Sequence, residues 1–232
     1  MGYRFAGTLH PNGQALNCAL LAFSSCWLGA TESIPSGIAI GGMIAGIAGL
    51  GLTQSRLAFW ASETAALISI AMTPSGSNRT WPVGLAVGIL VTGIGLFGRR
   101  SYDGASLNGR TMLWKLALAD VRPDWILGQG FGAFWDVRSL DMIREKVGMR
   151  VWSCHSTPVE ILVRSGAIGT VLFSATMVAA FIAALGLHGI SSALVGSLLI
   201  VIFLEGLLES SFALPVYTSL LLFLLLGALA VS

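Results

Sequence analysis

His155 closes a charged segment and immediately precedes an apolar run, in His155-Ser-Thr-Pro-Val-Glu160. An imidazole exchanges a proton near neutral pH, so a histidine at a membrane–water boundary has the chemistry of a general base. The competing role is an interfacial histidine bonded to water. Three arginines fall where arginine is costly. Arg4 precedes the first apolar run, in Arg4-Phe-Ala-Gly7 and then His10-Pro-Asn12. Arg56 lies at a boundary between two runs, in Thr53-Gln-Ser-Arg56, and Arg110 follows Gly109. A guanidinium is always charged, and its planar fork of donors fits a phosphate bidentately. The competing role of each is to snorkel toward lipid headgroups.

Other polar residues are less specific. Glu63 sits inside an apolar run, where a carboxylate is a candidate for an ion or proton path. Glu160 and Arg164 are spaced i, i+4 and suit a local ion pair. Cys154 adjoins His155, but side chains adjacent in sequence point apart, which argues against a thiol nucleophile. Cys18 and Cys26 lie in an apolar stretch. With no CxxC and no His/Cys spacing of the zinc type, no metal site is expected.

The elements that must position these residues follow from composition. Of 232 residues, 55% are hydrophobic and 10% charged, with mean hydropathy +0.81. Soluble domains carry about 25% charged residues. A soluble enzyme, a nucleic-acid binder with a basic face and a disordered tail are therefore excluded. A crossing helix needs about 20 predominantly apolar residues. By that rule seven spans are expected, at about 13–31, 34–53, 56–73, 81–98, 158–186, 190–208 and 212–231. The first run resembles a signal peptide in outline, but no small-x-small cleavage site follows, so it reads as a retained span. The backbone in lipid must bond internally, and the alternation of a membrane barrel is absent, so the fold class is all-α, a polytopic transmembrane helix bundle. Gly37-x-x-x-Gly41 and Gly42-x-x-x-Gly46 in the second span would let a neighbouring helix approach closely, although glycine is also simply common in membrane helices.

Residues 99–154 break the apolar pattern. They hold 15 of the chain's 24 charged residues and four of its seven tryptophans. A loop of this length is functional or disordered, and its aromatic content argues for structure. Residues 111–121 read as an amphipathic helix ended by Pro123. Gly128-Gln-Gly130-Phe-Gly132 reads as a succession of turns. It lacks the dinucleotide-binding spacing, and no strand precedes it. The expected organisation is a four-span half at 1–98, an extramembrane loop with short amphipathic helices at 99–157, and a three-span part at 158–232.

In this order the residues resemble the C-terminal part of the O-antigen ligase and O-antigen polymerase superfamily of membrane glycosyltransferases. The resemblance rests on Arg4-x-x-Gly7 with His10-Pro-Asn12, then Thr53-x-Ser-Arg56. It continues through Gly109-Arg110, Trp114 and Gly128-x-Gly130-x-Gly132. Most specific is His155-Ser156 followed, after nine residues, by Gly166-Ala-Ile-Gly169. At position 164 this chain has Arg where an acidic residue is frequent in the family, and full-length members have more spans. The resemblance implies that Arg4 and Arg110 hold the diphosphate of an undecaprenyl-diphosphate-linked glycan donor, with His155 helping to activate an acceptor hydroxyl. It implies a substrate-binding role for Arg56, no cofactor, and a lipid A core or another glycan as acceptor, with membrane lipids as surroundings and no nucleic acid.

Sidedness is contested. Counted by its cations, the 99–154 loop belongs in the cytoplasm. The resemblance places it in the periplasm, with the chain in the bacterial inner membrane. Four spans separate Arg4 from the loop, so the two share a side, and Arg56 falls on that side as well. The competing function is a transporter or channel, with Glu63 and the glycine-rich second span lining the path. No matching halves of an inverted repeat support it.

Overall fold

The computed structural model describes residues 11–74, 77–97, 110–148, 151–187 and 190–210. Among these residues every regular element is helical: α1 (Pro11–Ala30), α2 (Ser36–Thr53), α3 (Arg56–Met72), α4 (Thr80–Phe97), α5 (Arg110–Val121), α6 (Val137–Val147), α7 (Thr157–Gly186) and α8 (Ile190–Leu208). Six of the seven segments expected as spans are thus helices with nearly the expected ends. The seventh, 212–231, lies outside the described residues. Among the described residues two helices, α2 and α7, are long and apolar enough to cross a membrane, and α4 and α8 contain shorter apolar stretches.

The chain divides into two compact units, one of residues 1–101, 181–205 and 228–232, the other of residues 102–180 and 206–227. In the first, α1 to α4 pack with part of α8 around Leu16, Phe23, Leu50, Phe59, Leu85 and Ile89. Gly46 explains how α1 and α2 come together. A Cβ there would lie 2.7 Å from the Ala22 amide nitrogen and 2.7 Å from the Cys18 carbonyl. That is far inside van der Waals contact, so only glycine permits the approach. Gly42 meets the Ser25 side chain, whereas Gly37 and Gly41 face open space. One of the two small-residue spacings is therefore used. Ser197 of α8 shares its hydroxyl between the carbonyls of Ala65 and Ala193, tying that helix to α3.

The second unit is built on a smaller core of Leu113, Ala117, Val121, Phe134, Ile143, Val151, Cys154 and Val163. Helix α5 begins at Arg110 and passes into a 3-10 turn, Arg122–Asp124, where Pro123 interrupts it. Helix α6 is capped at both ends. The Asp136 side chain accepts from the Ser139 amide at 2.8 Å, and Gly148 closes the helix in the left-handed conformation. Its basic Arg144 and Lys146 fall in the last turn, where the helix dipole favours cations.

Helix α7 is broken at Gly166, which has φ 62° and ψ −162°. A break leaves amides and carbonyls without intrahelical partners. The glycine-rich segment supplies them. Gln129 and Gly130 donate their amides to the carbonyls of Val163 and Arg164, at 2.8 and 2.9 Å. In return, Ala167 and Ile168 donate to the carbonyls of Trp125 and Ile126, at 2.8 and 3.3 Å. Gly128, Gly130 and Gly132 all have positive φ, so the succession of turns expected from the sequence is present. A Cβ on Gly128 would stand 2.5 Å from the Gly166 nitrogen. The two glycine motifs are therefore one backbone-on-backbone contact.

Candidate active site

The second unit brings together two of the residues singled out in the sequence. Arg110 opens α5, and its Nη2 lies 2.8 Å from Oε1 of Glu209. The Nδ1 of His155 lies 3.2 Å from Oε2 of the same carboxylate. The two oxygens of Glu209 thus reach both side chains. The His155 side chain remains 33% exposed and Glu209 13%, so the imidazole is held on one edge and reachable on the other.

His155 is placed by its neighbours rather than by a regular element. Its φ is 48°, in the left-handed region that non-glycine residues seldom occupy. On one side, Trp114 Nε1 donates to the Cys154 carbonyl at 2.8 Å, so α5 carries both Arg110 and the support of the His155 turn. On the other, the Ser156 amide donates to the Ser210 hydroxyl, and the Thr157 amide and hydroxyl both donate to the Glu209 carbonyl, at 3.0 and 2.8 Å. These bonds bring the segment after α8 against the start of α7 and deliver the Glu209 carboxylate.

Beneath the turn lies Glu160, with 0% exposure. Its Oε1 accepts from Arg164 Nε and from Trp135 Nε1, both at 2.7 Å, and its Oε2 accepts from the Cys154 amide at 2.6 Å. The local ion pair expected from the i, i+4 spacing is present, and it also ties α7 to the loop. The Arg164 guanidinium stacks on the Phe131 ring, 4.5 Å from its centroid. Cys154 is fully buried. Burial, the negative charge of Glu160 and a hydrogen bond to that carboxylate push its thiol far above the ordinary value of 9.0, with Arg164 opposing. It stays protonated, which agrees with setting it aside as a nucleophile.

These residues can be set against known proteins. The family model described as O-antigen ligase matches residues 41–174, more than half of the chain. The chain belongs to the O-antigen ligase family. No curated protein and no solved structure matches it. Arg56, Arg110, the glycine loop, His155, Gly166 and Gly169 fall within the family match, whereas Arg4 and Glu209 fall outside it.

The other expected site residues are placed as follows. Arg56 begins α3 in the first unit, behind Gln54 at φ 52°, and its side chain is exposed. Arg4 and His10 lie outside the described residues. Glu63 is buried in α3, and its Oε2 has no hydrogen-bond partner among the described residues. Glu209 is the residue that reasoning from the sequence missed. A signal existed: Glu205 and Glu209 are the only charged residues from 190 to the end of the chain. A carboxylate in an apolar stretch with no cation nearby in sequence is a candidate to meet one through the fold.

Proposed function

We propose that this member of the O-antigen ligase family transfers an undecaprenyl-diphosphate-linked glycan to a sugar hydroxyl, with His155 as the base. The observation that carries the reading is the Glu209 carboxylate shared by Arg110 and His155. An ionised carboxylate only accepts, so the neutral imidazole that acts as base is the tautomer with its proton on Nδ1 facing Glu209 and its lone pair on Nε2. In the reaction, Nε2 takes the proton of the acceptor hydroxyl while that oxygen bonds to the anomeric carbon. The bond from that carbon to the diphosphate oxygen breaks, and its electron pair leaves on the diphosphate. Guanidinium forks stabilise the leaving charge. Arg110, which shares the Glu209 carboxylate with His155, is the proposed first of them, and Arg4 is the proposed second. Arg56 is the proposed contact to the rest of the substrate.

The proposal places seven spans in the bacterial inner membrane, 1–98 before and 158–232 after a periplasmic 99–157 loop. The acceptor is a lipid A core or another lipid-linked glycan. The test is transfer by purified chain in liposomes, with His155→Ala and Arg110→Ala. Loss of a general base predicts a rate lower by about 10²–10⁴-fold for His155→Ala, with membrane insertion intact. Near-normal transfer by either variant sinks the assigned roles. A reporter fused within residues 120–140 checks the side, and a cytoplasmic reading removes the lipid-linked donor.

A further inference from the structure

The glycine loop that repairs the break in α7 carries apolar side chains outward. Trp125, Ile126, Leu127 and Phe131 are all exposed, Leu127 at 72% and Phe131 at 77%. A cluster of large apolar residues on a polar unit marks an interaction surface. The backbone states its level. The loop is hydrogen-bonded to Ala167 and Ile168, the first residues beyond the Gly166 break.

That level is also where α7 changes character. Before the break, Glu160, Val163 and Arg164 are buried in the second unit. Beyond it, Ile168, Val171, Leu172 and Val178 are exposed and apolar. At 1.5 Å per residue the stretch 167–186 is about 30 Å long, the thickness of a hydrocarbon core. The break therefore coincides with the start of the membrane-length portion. Inside lipid, open amides and carbonyls have no water to bond, and the loop closes them with its own backbone. The exposed set contains a tryptophan, a residue enriched at this depth. Phe131 also rests one face on the Arg164 guanidinium.

We propose that residues 125–131 form an interfacial anchor, with Trp125, Ile126, Leu127 and Phe131 seated among the lipid headgroups and first acyl carbons at the active-site side of the bilayer. Continuity with the apolar face of α7 selects lipid as the occupant. The anchor holds the turn-bearing unit at a fixed height, since the same loop is bonded to the helix that follows His155. The inference rests on the membrane placement of α7 and not on the transfer chemistry.

The test uses the full chain in phosphatidylcholine–phosphatidylglycerol liposomes without glycan donor. An environment-sensitive fluorophore is attached at Leu127→Cys or Phe131→Cys, with Glu145→Cys on the exposed side of α6 as the aqueous reference. Cys18, Cys26 and Cys154 are buried, so their failure to label reports an intact fold. At 127 and 131 the emission should be blue-shifted relative to 145. Lipids with a nitroxide near the headgroup should quench it, and iodide should lose most of the quenching it shows at 145. Iodide quenching equal to that at 145 overturns the proposal. So does a label reached by neither quencher, which means that protein covers the loop. Two labelled positions keep the test decisive if one substitution disturbs folding.

Discussion

Replacing Glu209 separates a positioning role from a purely structural one. The carboxylate receives Nδ1 of His155 at 3.2 Å and Nη2 of Arg110 at 2.8 Å. When His155 takes the acceptor proton, the first contact, already assisted by the carboxylate charge, gains the imidazolium charge and becomes a hydrogen-bonded ion pair. Such a bond contributes about 1.5–3 kcal/mol, which corresponds to about 10- to 150-fold in rate. His155 is one-third exposed, and solvent screening draws the value toward the lower half of that range. Glu209→Ala should therefore lower kcat by some tens of fold. Glu209→Gln keeps an acceptor without the charge and should lose about tenfold. The assay is initial-rate transfer in liposomes, with kcat and the donor KM determined separately. Effects through Arg110 enter the donor KM and, through the leaving charge it stabilises, kcat as well, whereas effects through His155 enter kcat alone. In a His155→Ala background, Glu209→Gln should lower kcat little further, because residues acting as one unit are not additive. A full multiplicative loss of kcat in the double variant refutes the reasoning, and so does an unchanged kcat in Glu209→Ala.

Two further outcomes follow from the supports of the site. Glu160→Ala takes the acceptor from Arg164, Trp135 and the Cys154 amide at once. Breaking a buried pair of this kind costs about 3–5 kcal/mol, read by denaturant unfolding in detergent; a loss near 1 kcal/mol or below, the size of an exposed pair, contradicts the keystone role. Gly166→Ala forces a Cβ against the Ile126 carbonyl, at a backbone conformation tolerated essentially by glycine alone. Amide exchange at Gln129, Gly130, Ala167 and Ile168 should lose its protection, and protection equal to that of the unmodified chain rules out the proposed repair of the helix break.

Much of the architecture was legible in the sequence because lipid is a demanding solvent. Apolar runs near membrane length become helices, since no other conformation satisfies the backbone there, and α1 to α4, α7 and α8 fall where those runs predict. Glycine spacing also carried information. The run 128–132 reads as turns because its glycines alone accept positive φ. That these turns fill a gap in α7 was not legible. Gly166 follows Arg164 and Ser165 inside a stretch that is apolar enough overall to read as one span, so the break left no mark in the span assignment. Helix α6 was anticipated only as one of several short amphipathic helices. Its exact ends come from caps at Asp136 and Gly148.

The sequence by itself determined the helical character of the described residues and a charged segment between apolar runs, and it marked His155 and Arg110 as candidates by their chemistry. These follow from residue type and local spacing, which act over one or two helical turns. Only the tertiary structure decided that His155 and Arg110 share one carboxylate, because Glu209 lies 54 and 99 residues from them. Electrostatic pairing depends on distance in space, and nothing local in the chain marks which cation Glu209 meets, since no charged group of opposite sign lies near it in sequence.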